Sequence, residues 1–326
     1  MICSDNSETS NNSNLHVLAI SGGVGGAKLA LGLSHILAPE QLTIVANTGD
    51  DFDYLGLSIS PDLDTVMYTL ANLSNKQQGW GLADETWSCM EALTKLNAES
   101  WFQLGDKDMA THIYRTSRLK EGATLTQVTE ELCTSMGIEH RIIPMTDDKV
   151  STIVQTRDGE LAFQNYFVKE QCKPSVTGFY FQGIEQAKPQ KKLLELIQSD
   201  QLSSIIICPS NPFVSVDPLL QLKDIKQLIK QQSAPMVAIS PIVGGSAIKG
   251  PAAKMFTELG LDCNCVGVAK FYGSLLDGFI IDTIDAKYKT AIEEMGIPCL
   301  VTQTVMQSLE DRIQLGKDAL NFACSL

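Results

Sequence analysis

Residues able to grip phosphate, hold a hard cation or move a proton fall in a few short stretches of this chain. The first is Leu15-His-Val-Leu-Ala-Ile-Ser-Gly-Gly-Val-Gly-Gly-Ala-Lys28, with Gly22, Gly23, Gly25 and Gly26 inside five residues. A strand, a glycine turn and a helix N-terminus bind anions, because glycine lets the backbone approach and the N–H groups of the first helical turn are unpaired. Lys28 adds a full positive charge. The stretch fits neither standard fingerprint. Lys28 stands where a dinucleotide turn needs a small residue, and Ala27 and Leu29 stand where a P-loop needs Gly and Ser or Thr. It reads as a nucleotide or phosphate site of another kind, against the plainer reading of a βα turn that binds nothing.

The second is acidic. Asp50, Asp51, Asp53, Asp62 and Asp64 lie within fifteen residues. Carboxylates crowded beside a phosphate loop repel an anionic substrate unless a hard cation sits between them. Mg2+ held by one or two carboxylates plus substrate phosphates meets that need. On a helix Asp62 and Asp64 point roughly 200° apart, so one of the two faces the ligand. An Asp in a first helical turn is also favoured by the macrodipole alone, which is the plain reading of Asp62. A second glycine-rich loop, Val243 to Pro251, contains Val243, Gly244, Gly245 and Lys249, with Lys254 beyond it. A polar knot at Gly105-Asp-Lys-Asp108 is followed by His112, four residues after Asp108 and on the same helix face.

These residues need elements to place them. Val17 to Ile20 reads as a strand, followed by a helix from about Ala27 to Leu37. Leu42 to Ala46 is a second strand, ending in Asn47-Thr-Gly-Asp-Asp51. Ser60, as N-cap, and Pro61, as first helical residue, open the helix that bears Asp62 and Asp64. From Gly79 to about Gly137 the pattern is helical, with Trp80, Trp87 and Trp101 and a capping box at Thr124–Gln127. Arg141 to Pro144, Ser151 to Thr156 and Leu161 to Val168 read as strands, the last two joined as a hairpin at Asp158-Gly159. Ser203 to Cys208 and Met236 to Ile239 are apolar strands, ending in Pro209-Ser-Asn-Pro212 and Ser240-Pro-Ile-Val-Gly-Gly245. A helix at Ala252 to Leu259, strands at Phe279 to Asp282 and Cys299 to Thr302, and a helix from Ser308 complete the chain. Apolar strands without alternation predict an α/β fold, a mostly parallel sheet with helices on both faces. In such a sheet ligands bind beyond the carboxyl ends of the strands. Four strands here end in Gly, Ser, Asn and Asp, which predicts a nucleotide-sized crevice.

Composition removes several classes. The chain has 326 residues, 44% of them apolar, a net charge of −13 and nine cysteines. No apolar run approaches the ~18 residues of a membrane span. The acidic balance and the lack of a basic stripe argue against nucleic acid or an anionic membrane as partner. Scattered cysteines, several inside apolar runs, predict reduced thiols and a cytoplasmic protein. Met1 to Asn14, rich in Ser and Asn, reads as a disordered tail. Residues 15–326 read as one α/β domain with an inserted helical and hairpin region at about 79–170. Two other classes compete with an enzyme of phosphoryl chemistry. One is a non-catalytic nucleotide-binding regulatory protein of related fold. The other is an NAD(P)-dependent oxidoreductase, disfavoured by the missing third fingerprint glycine.

The motif set resembles a known family. Gly22-Gly-Val-Gly-Gly-Ala-Lys28, Asn47-Thr-Gly-Asp-Asp51, Ser60-Pro-Asp-Leu-Asp-Thr-Val-Met-Tyr-Thr69, Trp80-Gly-Leu-Ala-Asp-Glu-Thr86, Leu104-Gly-Asp-Lys-Asp108, Pro144-Met-Thr-Asp-Asp148, Pro209-Ser-Asn-Pro212 and Ser240-Pro-Ile-Val-Gly-Gly245 are similar to those of the 2-phospho-L-lactate transferase family of coenzyme F-420 biosynthesis. The resemblance implies a Rossmann-like core with an insertion and a homodimer. It implies transfer of a phospho-organic acid from its guanosine diphosphate conjugate to the ribityl hydroxyl of the deazaflavin Fo, with GMP released and Mg2+ required. The acid is of the 2-phospholactate, enolpyruvyl phosphate or 3-phosphoglycerate type. Asp64 matches the acidic position beside deazaflavin and metal, with Asp50 or Asp51 as second carboxylate. Gly22, Gly23, Gly25, Gly26, Lys28, Ser210, Asn211, Val243, Gly244 and Gly245 match the nucleotide side. Gln103 stands where some members carry a basic residue.

Overall fold

The computed structural model describes residues 16–247 and 250–326. The expected tail at Met1 to Asn14 and the loop lysine Lys249 lie outside the described residues. Seven strands form the central sheet: β1 (His16–Ser21), β2 (Leu42–Ala46), β3 (Arg141–Pro144), β4 (Leu202–Ile207), β5 (Met236–Ile239), β6 (Gly278–Asp282) and β7 (Cys299–Thr302). Their spatial order is β7-β6-β5-β4-β1-β2-β3, and every pairing is parallel. The chain therefore winds outward from β1 in one direction, then returns and winds outward from β4 in the other. The β1/β4 junction is the topological switch point of a doubly wound sheet, the place beyond the strand ends where such folds bind ligands.

Alternate residues of each strand enter opposite cores. Val17 and Ala19 pack with Ile44, Ile206, Val237 and Ile280 on one face, while Leu18 and Ile20 pack with Val45, Ile205, Ile207, Ala238 and Phe279 on the other. Burial on both faces is why the strands read as apolar runs. The first face is covered by α1 (Gly23–Ser34), α2 (Pro61–Leu70) and the C-terminal helix Leu309–Cys324, capped by a Ser308/Asp311 box.

The expected insertion at 79–170 is corrected by β3. Arg141–Pro144 pairs with β2 in the central sheet, so the chain re-enters the core in the middle of that stretch. Before β3 lie a small hairpin (Phe52–Tyr54 with Leu57–Ile59) and helices that include α3 (Asp106–Lys120) and α4 (Leu125–Ser135). The Thr124/Gln127 capping box is formed as predicted. This part carries its own core of Tyr54, Ile59, Met90 and Leu104, with Phe52, Trp87, Trp101 and Phe102 against it. After β3 comes an antiparallel sheet of Ser151–Thr156, Gly159–Ala162 and Val176–Gln182. The strand expected at Leu161 to Val168 stops at Ala162, and Asn165–Lys169 coils instead. Among the described residues no helix is long and apolar enough to cross a membrane.

Candidate functional site

The glycine stretch is tighter than its sequence suggests. Helix α1 starts at Gly23, not near Ala27, so the turn is Gly22 alone and the other glycines lie in the first helical turn. Gly25 is required by a close approach: a Cβ there would stand 2.3 Å from the carbonyl oxygen of Pro209. Gly22 and Gly26 press in the same way on Ser215 and on Ser21 and Ser210. These glycines lock the turn after β1 against the segment after β4, and Gly22 N–H donates to Ser210 Oγ at 3.1 Å across the switch point. Asn211 accepts from Phe213 N–H at 3.0 Å, which shapes the same segment. Lys28, one turn further into α1, donates to the Met306 carbonyl at 3.0 Å.

Asp62 fills the N-terminus of α1. Its Oδ1 accepts from Gly23 N–H at 2.6 Å, and its Oδ2 accepts from Asn47 Nδ2 at 2.9 Å. Asn47 Nδ2 also reaches Asp50 Oδ1 at 2.6 Å and the Val214 carbonyl at 3.2 Å. One asparagine at the end of β2 thus ties together two acidic residues and the β4 segment. Gln164 Nε2 stands 3.4 Å from Asp50 Oδ2. Ser60 does not cap α2 with its side chain. Its hydroxyl donates to Asp51 Oδ2 at 2.7 Å instead. Asp64, on the other side of α2, takes both terminal nitrogens of Arg115 from α3, one of them at 3.1 Å.

Asp50, Asp62 and Asp64 are thus buried, Asp51 is half-buried beside them, and Arg115 pairs with Asp64. Burial, then the charges of Asp62 and Asp51, push the Asp50 carboxyl well above its ordinary range. Burial does the same to Asp51 against the opposing pull of Ser60 and Arg115. Asp62 is pushed up to about 6 by burial, opposed by its bonds from Asn47 and Gly23. Ser21 Oγ, Thr48 Oγ1 and Asp51 Oδ1 are buried with no protein partner. Buried polar atoms are seldom left so, and a bound cation would keep ionised the carboxyls whose protonated forms burial alone favours. The donor set fits Mg2+: hard carboxylate oxygens, with Asp51 Oδ1 unpartnered. Among the described residues no group of three His, Cys, Asp or Glu could hold a metal. A cation here would be held by one or two of these carboxylates, a donor set that suits Mg2+. Asp64 would join only by giving up Arg115.

The second glycine loop is a different device. Ile242–Val243 pairs with Ser246–Ala247, and Gly244 and Gly245 (φ +59° and +78°) form the two-residue turn between them. Left-handed backbone at both positions suits a type I′ hairpin. Gly244 N–H donates to Asp285 at 2.9 Å. Sequence alone marks no role for Asn47, Tyr68, Gln164 or Arg115, and marks Ser60 only as an N-cap. Arg115 carried a usable signal, since Asp108, His112 and Arg115 recur at i, i+4 and i+7 on an otherwise polar helix.

A doubly wound parallel sheet with a closed glycine turn at its switch point, three further polar strand ends and a buried acidic group beside that turn defines an α/β protein of the Rossmann-like class. The chain belongs to the 2-phospho-L-lactate transferase CofD family, which it matches over residues 17–308. It is 39% identical over 315 residues to the phosphoenolpyruvate transferase of Streptomyces coelicolor, covering 95% of this chain and 98% of that protein. It is 37% identical over 301 residues to the 2-phospho-L-lactate transferase of Methanosarcina acetivorans, covering 92% and 97%. With the 2-phospho-L-lactate transferase of Methanocaldococcus jannaschii the identity is 37% over 314 residues, covering 95% and 99%. Among solved structures, a upf0052 family member from Bacillus halodurans superposes with a TM-score of 0.62 at 15% identity, covering 94% of this chain and 98% of that one. That likeness concerns the fold.

Proposed function

We propose that this protein transfers a phospho-organic acid from its guanosine diphosphate conjugate to the ribityl hydroxyl of the deazaflavin Fo in coenzyme F-420 biosynthesis, and releases GMP. The observation that carries the reading is the junction at the switch point. There Gly22 N–H bonds Ser210, and beside it Asn47 ties Asp50 to Asp62, whose other oxygen holds Gly23 N–H. Relatives named as phosphoenolpyruvate and 2-phospho-L-lactate transferases support it.

The reaction forms a bond from the ribityl oxygen to the acid-bearing phosphorus and breaks the bridge to the GMP phosphate, which leaves with the bridging oxygen. Such a displacement asks the protein for in-line positioning, charge neutralisation and a proton acceptor. The turn around Gly22 to Gly26, with Lys28, Ser210 and Asn211 and the hairpin at Val243 to Gly245, orients the donor. Asp50 and Asp51 would hold Mg2+, which when bound would supply neutralisation of charge on the diphosphate. A carboxylate of the Asp50, Asp51, Asp64 set takes the hydroxyl proton. The aromatic core around Phe52, Tyr54, Trp101 and Phe102 backs the wall on the acceptor side and excludes water. The active form is a homodimer.

The test is GMP release by the purified protein from each of the three acid donors, with and without Fo and with EDTA. Release that depends on both Fo and Mg2+ is expected. Donor hydrolysis at the same rate without Fo, or no consumption of Fo with any donor, overturns the reading.

A further inference from the structure

Where α2 meets α3, five buried side chains form one line: Tyr68, Asp108, His112, Arg115 and Asp64. Tyr68 OH donates to Asp108 Oδ1 at 2.6 Å, and His112 Nε2 lies 3.3 Å from the same oxygen. His112 Nδ1 lies 3.1 Å from Arg115 Nη1. A guanidinium only donates, so Nδ1 is the acceptor in that contact, while His112 Nε2 is buried beside Asp108 without a hydrogen bond of good geometry. Nη1 and Nη2 of Arg115 then fork onto the two oxygens of Asp64. Each group's orientation is set by the next. The line ends on a carboxylate that neighbours Asp51, whose charge state responds to both Arg115 and Asp64.

We propose that Arg115 is a positioning residue of the transfer site: oriented by His112, its guanidinium pins the Asp64 carboxylate beside Asp51 and reserves it from the cation. The proposal rests on the transfer reading above. Helix docking alone does not explain the arrangement. A buried ion pair is a poor way to hold two helices together, since apolar residues of the same volume do so at least as well. Arg115 also leaves its Nε buried and unpartnered. What the pair supplies is one fixed positive charge next to buried carboxylates, in the planar two-point geometry that lysine lacks. Without it, Asp64 is free to turn onto the cation, and the site becomes a stronger chelator and a poorer catalyst.

The test uses the full chain, Mn2+ binding by calorimetry, steady-state transfer kinetics and thermal midpoints. Arg115→Gln is expected to bind Mn2+ about fivefold more tightly and to lose about a hundredfold in kcat, with KM for donor and acceptor within about threefold. His112→Asn keeps an acceptor near Nδ1 and should retain most of the rate, whereas His112→Gln, which mimics Nε2, should lose about tenfold. If Arg115→Gln does not fold, Arg115→Lys replaces it, with Mn2+ affinity kept and kcat down about tenfold. Mn2+ binding that is no tighter in Arg115→Gln overturns the proposal. So do His112 variants whose rates follow only their thermal midpoints, or Arg115→Lys with an unchanged kcat. If the wild type turns over no donor, the transfer reading fails, and the Mn2+ comparison still judges Arg115.

Discussion

The two glycine loops look alike in sequence and do different work. Each follows an apolar strand of the central sheet, and each has a backbone N–H held by a buried carboxylate: Gly23 by Asp62 at 2.6 Å, Gly244 by Asp285 at 2.9 Å. The first loop continues at once into a twelve-residue helix and is clamped against the β4 segment. The second turns back on itself as a hairpin, and a Cβ at Gly244 would meet only the Ile284 side chain, at 3.6 Å. In the first, Gly22, Gly25 and Gly26 are needed for what the rest of the chain occupies, and only Gly23 for the sign of its φ. In the second, glycine is needed for the sign of φ.

That contrast predicts unequal costs. Gly25→Ala drives a Cβ into a backbone carbonyl that no side-chain motion can relieve, so urea denaturation should show a loss of about 3 kcal/mol or more. GDP binding should disappear with it. A loss below about 1 kcal/mol would mean the β1/β4 junction yields easily and is not a clamp.

The carboxylate on the first loop adds a pH signature. The folded-state pKa of Asp62, about 6, lies above its ordinary value of 3.8. Folding therefore favours its protonated form. The stability this contributes is complete below about pH 4 and is lost as pH rises through 6. Asp62→Asn has no proton to lose, so in chelator its stability relative to wild type should improve by roughly 2 kcal/mol between pH 4 and 6.5. A constant difference across that window would place Asp62 outside the buried acidic group.

Gly244→Ala should cost about 1–2 kcal/mol, the price of left-handed backbone for an L-residue. GDP affinity should fall only if the hairpin touches the nucleotide. The smallest effect is expected at Lys28→Ala. Losing the bond to the Met306 carbonyl costs about 1 kcal/mol, while GDP affinity should drop about tenfold if the ammonium reaches a phosphate. Unchanged GDP affinity would leave Lys28 as a strut between α1 and the chain after β7.

Much of the fold was legible in the sequence. The apolar runs at β1, β2, β4 and β5 mark a sheet buried on both faces, and the turn residues after them mark one functional edge. The small hairpin at Phe52–Ile59 and the strand Val176–Gln182 leave no mark in the sequence, because half-buried strands with mixed faces carry no clear period. In the site, the acidic residues were visible as a group, but their partners were not. Asn47 looks like one polar residue in a turn until the structure brings Asp50, Asp62 and Val214 to its side chain. Arg115 lies fifty-one residues from Asp64.

The sequence by itself determined which residues could handle phosphate and cation, that they sit at strand ends, and to which family the motifs are similar. Local chemistry and strand periodicity are short-range properties, so they are written within a few residues of each other. Only the tertiary structure decided how the carboxylates divide their work. Asp62 turns to the glycine helix and Asp64 to Arg115 because α2 is wedged between two elements, α1 and α3, that the sequence holds far apart. The partner of a buried charge is chosen by which helix packs against it, and that is a long-range outcome of burying apolar faces.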